Sequence, residues 1–259
     1  MNDSDFGLSR AAPKGLSILL PNEETQSARA VEGNLIDLAS YIRHMKHALT
    51  LVDFCDAIRA EDHVEFQSIR KRRVAARDKN DTLELEKTLA EQTFNMERGA
   101  QNATWQHIVA RDIAMTIHDF HRALSLALKP AENCPSLKAK INYSAVDSAM
   151  KLFTRYFPNA KEIRHAAGHP ADWLATPKDR ANNMVQPPEI LPGLVEGCAF
   201  GASCHIDGRT VIYTGDGKTM TIDLTTEMLG HLVEVVRAIY AAISPMAGRE
   251  RPSPLGLEK

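Results

Sequence analysis

At 259 residues the chain can bury one good core, or one core with an appendage, and 44% apolar with 25% charged residues is the make-up of an ordinary soluble globular protein. A formal net charge of −2 excludes a global field that gathers nucleic acid, so binding of that kind has to come from a local patch. No run approaches the roughly 18 apolar residues of a membrane span.

Cys55, Cys134, Cys198 and Cys204 show no Cys-x-x-Cys spacing. Cys198 and Cys204 share a parity on a predicted strand and would lie roughly 20 Å apart, too far to bridge. A reduced, cytoplasmic setting is expected. Asp3 and Asp5 stand where a signal peptide would need an apolar run, so none is expected.

Residues 1–33 read as a poorly ordered lead-in, broken by Pro13, Gly15 and Pro21. From Asn34 the pattern changes: Leu35, Leu38, Ile42, Met45, Leu49 and Val52 recur at alternating steps of three and four, predicting a helix over 34–60. His44 and His47 sit on it three apart, a spacing able to ligate a metal, though surrounding basic residues favour a solvated surface. Residues 61–80 are far more polar. They carry the strongest charge run, Arg70, Lys71, Arg72, Arg73 and Arg77, readable as a phosphate-binding strip or as a solvated helix face. Helical spacing resumes over 82–98 at Leu85, Leu89, Gln92 and Met96, and again over 105–128 from Trp105 and Ile108 through Phe120 to Leu128.

A loop is expected over 130–141, a short helix over 143–157 and an irregular, proline-rich loop over 171–193. Residues 194–224 form the only β region, a three-stranded meander of 194–206, 210–214 and 220–224 turning at Asp207-Gly208 and Gly215-Asp216-Gly217. A helix over 226–243, capped by Thr225 or Thr226, closes the sequence before a Pro/Gly tail. The expected fold is thus mainly α. It comprises a bundle over 34–193, a small antiparallel meander with a final helix packed on that bundle over 194–243, and a flexible tail over 244–259.

The stretch that carries chemistry is Asn159 to Pro170. Asn159 can cap a helix with Glu162 completing a capping box, and Gly168 and Pro170 stop it. Arg164 and His169, five apart, would point about 140° from one another on a continuous helix. Proline at 170 pushes His169 out of the α region and frees it to turn back towards Arg164. A guanidinium grips phosphate oxygens bidentately, and an imidazole titrates near neutral pH and contributes about 10²–10⁴ in rate as a general acid or base.

Helices on either side of Arg164-His165-Ala-Ala-Gly-His169 resemble the HEPN superfamily of helical bundles over residues 34–175. The resemblance implies a metal-independent endoribonuclease without cofactor, in which Arg164, His165 and His169 act at a cleft shared by two copies. It implies RNA as substrate, a homodimer, and a place in a toxin or defence system. A Tyr two residues after the His, which a partner enzyme modifies in a toxin branch of the family, is replaced by Ala171. Two other readings stand beside it. One is a non-catalytic helical interaction module or assembly subunit with a protein partner. The other is an HD-type phosphohydrolase built on His118-Asp119, with His44 or His47 and Asp147 or Asp172 completing the metal set.

Overall fold

The computed structural model describes residues 6–18, 20–168, 176–183, 203–207, 209–215 and 217–243. It is mainly helical with one small antiparallel sheet and a final helix. Two helices dominate, α2 (Thr25–Asp78) and α3 (Thr82–Leu126), each contributing to both compact units of the chain. The polar stretch 61–78, readable from sequence as a solvated helix face, continues α2, and 99–104 continues α3. No proline or glycine occurs between 61 and 78, and the Glu, Gln, Lys, Arg and Ala that fill it are good helix formers even without an apolar stripe.

The turn between α2 and α3 is locally encoded. Asn80 adopts φ 52, the left-handed conformation that asparagine tolerates best after glycine. The Asp81 N–H donates to the Ala76 carbonyl (2.9 Å) and the Asn80 N–H to Arg77 (3.2 Å), the paired bonds of a Schellman stop. Asp81 then accepts from the Glu84 N–H (3.1 Å) and so caps α3.

The first unit is formed by Met1–Lys46, Thr116–Ala160 and Thr226–Lys259. It holds α1 (Leu8–Ala11), α4 (Pro135–Lys138), α5 (Tyr143–Tyr156) and α8 (Thr226–Ala241), with 3-10 turns at Asn22–Glu24 and Lys129–Asn133. The apolar stripe of α2 enters its core as expected: Leu35, Leu38, Ile42 and Met45 are fully buried. Phe120 of α3 sits edge-on to Tyr41 (6.3 Å) and stacks on Phe153 of α5 (5.9 Å). The hydroxyl of Tyr240 on α8 donates to the Leu35 carbonyl (2.8 Å), and Asn142 caps α5 by accepting from the Ala145 N–H. Helix α2 begins at Thr25 rather than at 34, and Leu8, Leu16, Ala28 and Val31 are buried, so the stretch read as a lead-in contributes to this core.

Glu24 pins that stretch. Its carboxylate accepts from the Cys134 thiol (2.9 Å), the Ser136 N–H (3.1 Å) and the Ser136 hydroxyl (3.1 Å). The thiol bond is the main reason its pKa lies below the ordinary 4.5; burial opposes it and the Ser136 bonds add to it. A depressed carboxylate contributes stability above its unfolded pKa and loses it as pH falls through the folded value. Glu24→Gln is therefore expected to lower Tm at neutral pH and to flatten the loss of Tm below about pH 4.5. A Tm–pH curve parallel to the wild type's would remove Glu24 from this role.

The second unit is formed by His47–Met115 and Lys161–Thr225. Its sheet runs β1 (Ser203–Asp207), β2 (Thr210–Gly215) and β3 (Lys218–Asp223) in that order, with Tyr213 of β2 opposite Cys204 and Met220. This is the expected meander; the part of the first predicted strand before Ser203 lies outside the described residues. Gly217 takes φ 67, the positive angle that the β2–β3 turn requires. Tyr213 is fully buried and donates its hydroxyl to the Ala110 carbonyl of α3 (2.8 Å), while Arg209 pairs with Asp53 and Asp56 of α2.

α7 (Pro177–Asn183) occupies part of the expected irregular loop. Thr176 and Asp179 exchange a capping box, each accepting from the other's N–H at 3.1 Å, and Pro177 supplies a helical φ at the first position. α4 likewise starts on Pro135 inside the expected 130–141 loop.

Candidate functional site

Helix α6 (Ala160–Gly168) forms where the capping and stop signals place it. Ile163, Ala166 and Ala167 face inwards, and Gly168 leaves room for the Met115 sulfur 3.8 Å from where a Cβ would stand. Arg164 is half-buried, and its Nε is enclosed without a hydrogen-bond partner among the described residues. His165 is exposed. His169 lies outside the described residues.

The basic run divides. Arg72 is half-buried and committed to Glu84 (3.3 Å) and Glu91 across the hairpin, and Arg73 donates to Gln92 (2.6 Å). Arg70, Arg73 and Arg77, at steps of three and four, share one helix face, and Lys71 points elsewhere. His44 and His47 are exposed. His118 is 3.3 Å from the Asp119 carboxylate, but among the described residues no three His, Cys, Asp or Glu side chains converge as a metal-binding set. His121 stacks on Phe153 (4.6 Å, 9° between planes); burial, aided by His118, pushes its pKa below the ordinary histidine value.

A second aromatic pair was not singled out by sequence. The Tyr156 ring stacks on His231 (3.9 Å) and its hydroxyl donates to Glu234 (2.6 Å), a bond that together with burial raises the phenol's pKa. It ties α5 to α8, and the i to i+4 step from Glu227 to His231 carries a further weak pair at 3.9 Å.

The most unusual feature is the seam between α2 and α3 within the second unit. Cys55, Asp62, Ile69 and Ala76 of α2 recur every seven residues and are buried; so do Thr88, Asn95, Asn102 and Val109 of α3. This is a heptad interface made largely of small and polar side chains. Asn102 donates to the Cys55 carbonyl (2.8 Å), Asn95 to the Asp62 carbonyl (3.3 Å), and Gln106 to Asp56 (3.3 Å). Arg98 pairs with Asp62 and Glu65. Burial works against the Arg98 charge, but the two carboxylates outweigh it and raise its pKa. Asp62 Oδ2, Asn102 Oδ1 and Arg98 Nε have no hydrogen-bond partner among the described residues. Beside the seam runs an open groove of about 490 Å³ lined by Arg59, Asp62, His63, Asn95, Asn102 and His107.

Several large apolar residues of α3 point outwards instead. Leu89 and Met96, expected on the buried stripe, are 51% and 63% exposed, and Trp105 and Ile108 are also exposed. The apolar-stripe rule found the wrong face because the buried face is polar. A seven-residue recurrence of Thr, Asn and Asn was the signal available in the sequence.

Compared with known proteins, the chain matches no family model, no curated protein and no solved structure. Among the described residues no helix is long and apolar enough to cross a membrane.

Proposed function

We propose that this protein is an assembly subunit whose α2/α3 hairpin docks onto another protein through its outward apolar face. The observation that carries the reading is the inversion of that hairpin, with polar groups in the seam and Leu83, Phe94, Trp105 and Ile108 exposed on α3. Apolar side chains of this size gathered along one element mark an interaction surface, whereas single exposed ones mean little. A photo-crosslinking phenylalanine derivative at Gln101, which lies between Phe94 and Trp105, is expected to form protein adducts on illumination in cells. The same group at Lys218, exposed on β3, should form none. Absence of adducts at Gln101 would overturn the docking reading.

A second reading is favoured by the enclosed, unpartnered Nε of Arg164. A guanidinium with an unmet donor on α6 suits a phosphate, in keeping with the HEPN-like endoribonuclease that the sequence suggests, with His169 as acid or base. RNA cleavage that persists in EDTA and falls by about 10²-fold or more in His169→Ala and Arg164→Ala is the expected result. Wild-type protein that leaves RNA intact would end this reading without touching the first.

A further inference from the structure

Resting on the docking reading, we infer that the partner is a second copy of this chain, joined antiparallel along α3 with Phe94 on the two-fold axis. Leu83, Phe94 and Trp105 are spaced by eleven residues, three helical turns plus about 20°. With Ile108 they therefore form one narrow stripe, at exposures of 77%, 60%, 46% and 61%. Without Ile108, whose counterpart is Asn80 in the turn before α3, the stripe is symmetric about its centre. Phe94 lies midway between Leu83 and Trp105, so reversing a second α3 against the first sets Phe94 on Phe94 and each Leu83 on the other copy's Trp105. An isologous two-fold interface requires such self-complementarity of a single patch.

Charge and area agree with that occupant. In the antiparallel register Arg98 of one copy, which also pairs with Asp62 and Glu65 of its own chain, lies on the same side as Glu91 of the second copy, itself paired with Arg72 of its own chain, offset by about one residue's rise of 1.5 Å. The two symmetry-related pairs flank Phe94, and no like-charged pair faces across it. Large side chains bury of the order of 200 Å² each. The observed exposures of Leu83, Phe94 and Trp105 then leave roughly 370 Å² of apolar surface on one copy and roughly 700 Å² on two, the size of a weak, reversible interface. The polar seam makes the same point from within. Asp62, Thr88, Asn95 and Asn102 take positions in the seam that apolar side chains could fill, and pairing through Leu83, Phe94 and Trp105 adds apolar burial to the hairpin.

Sedimentation velocity on the full chain, over a concentration series, tests this together with two substitutions. The wild type is expected to sediment as a dimer. Phe94→Glu should weaken association by about 30-fold or more with unchanged helicity, since Phe94 is exposed and contributes little to folding. Phe94→Cys should give a disulfide-linked dimer under mild oxidation, because the two-fold axis brings the residue against itself, whereas Leu89→Cys should not. A wild type that stays monomeric throughout, or a dimer indifferent to Phe94→Glu, would overturn the inference. In that case adducts at Gln101 with a different protein preserve the docking reading, and absence of any adduct defeats both.

Discussion

Phe120→Ala should destabilise the protein by about 3–5 kcal/mol, the range for truncating a fully buried phenylalanine. The side chain touches Tyr41 on α2 and Phe153 on α5, so its loss opens a cavity where three elements of the first unit meet. Part of the cost is the two aromatic contacts, worth about 0.5–1.5 kcal/mol each beyond area. At about 2–4 °C per kcal/mol for a chain of this size, Tm should fall by roughly 6–20 °C. Phe120→Leu, which keeps most of the volume, should lose far less. A drop in Tm for Phe120→Ala no larger than that for Phe120→Leu would show that the site collapses around the smaller residue and that the aromatic contacts contribute little.

Asn102→Leu should act in the opposite direction and raise stability by about 1–3 kcal/mol, although it alters a buried residue. Asn102 donates to a helical carbonyl that already serves its own helix, and its Oδ1 is buried without a partner among the described residues. Deleting both polar atoms removes an unmet acceptor, and the leucine side chain can extend into the groove that Asn102 lines. Replacing buried polar groups by apolar ones of similar size is often neutral or stabilising, and what is lost is the specification of register. Chemical denaturation should show a higher midpoint with an unchanged slope. A lower midpoint would mean that the Cys55 carbonyl bond outweighs the unmet acceptor.

The elements that sequence determined by itself share one physical basis, a signal carried within a few residues. The helix through Leu35, Leu38, Ile42 and Met45 was legible because an apolar stripe at three and four steps has only one way to leave water. The span of α6 was legible from the residue types at Asn159, Glu162 and Gly168, and the meander from alternation and glycine turns, because such signals act within a few residues. Prolines were read too simply. Pro135 and Pro177 each begin a helix, which their fixed φ favours as strongly as it forbids an interior position.

Candidate residues were legible as residue types but not as partners. Arg72 looked like one of five equivalent cations until Glu84 and Glu91, far along the sequence, were seen to claim it. Whether a charge is solvated or paired depends on what the fold brings across from another helix, and no local pattern encodes that. The α2/α3 seam required tertiary structure most of all. A polar residue is buried only when another element supplies its hydrogen bonds. Asn95 and Asn102 could turn inwards, and Leu89, Phe94 and Met96 outwards, only because α2 presents the Asp62 and Cys55 carbonyls opposite them. Sequence determined that these residues lie on a helix; the antiparallel pairing of two helices decided which face is inside.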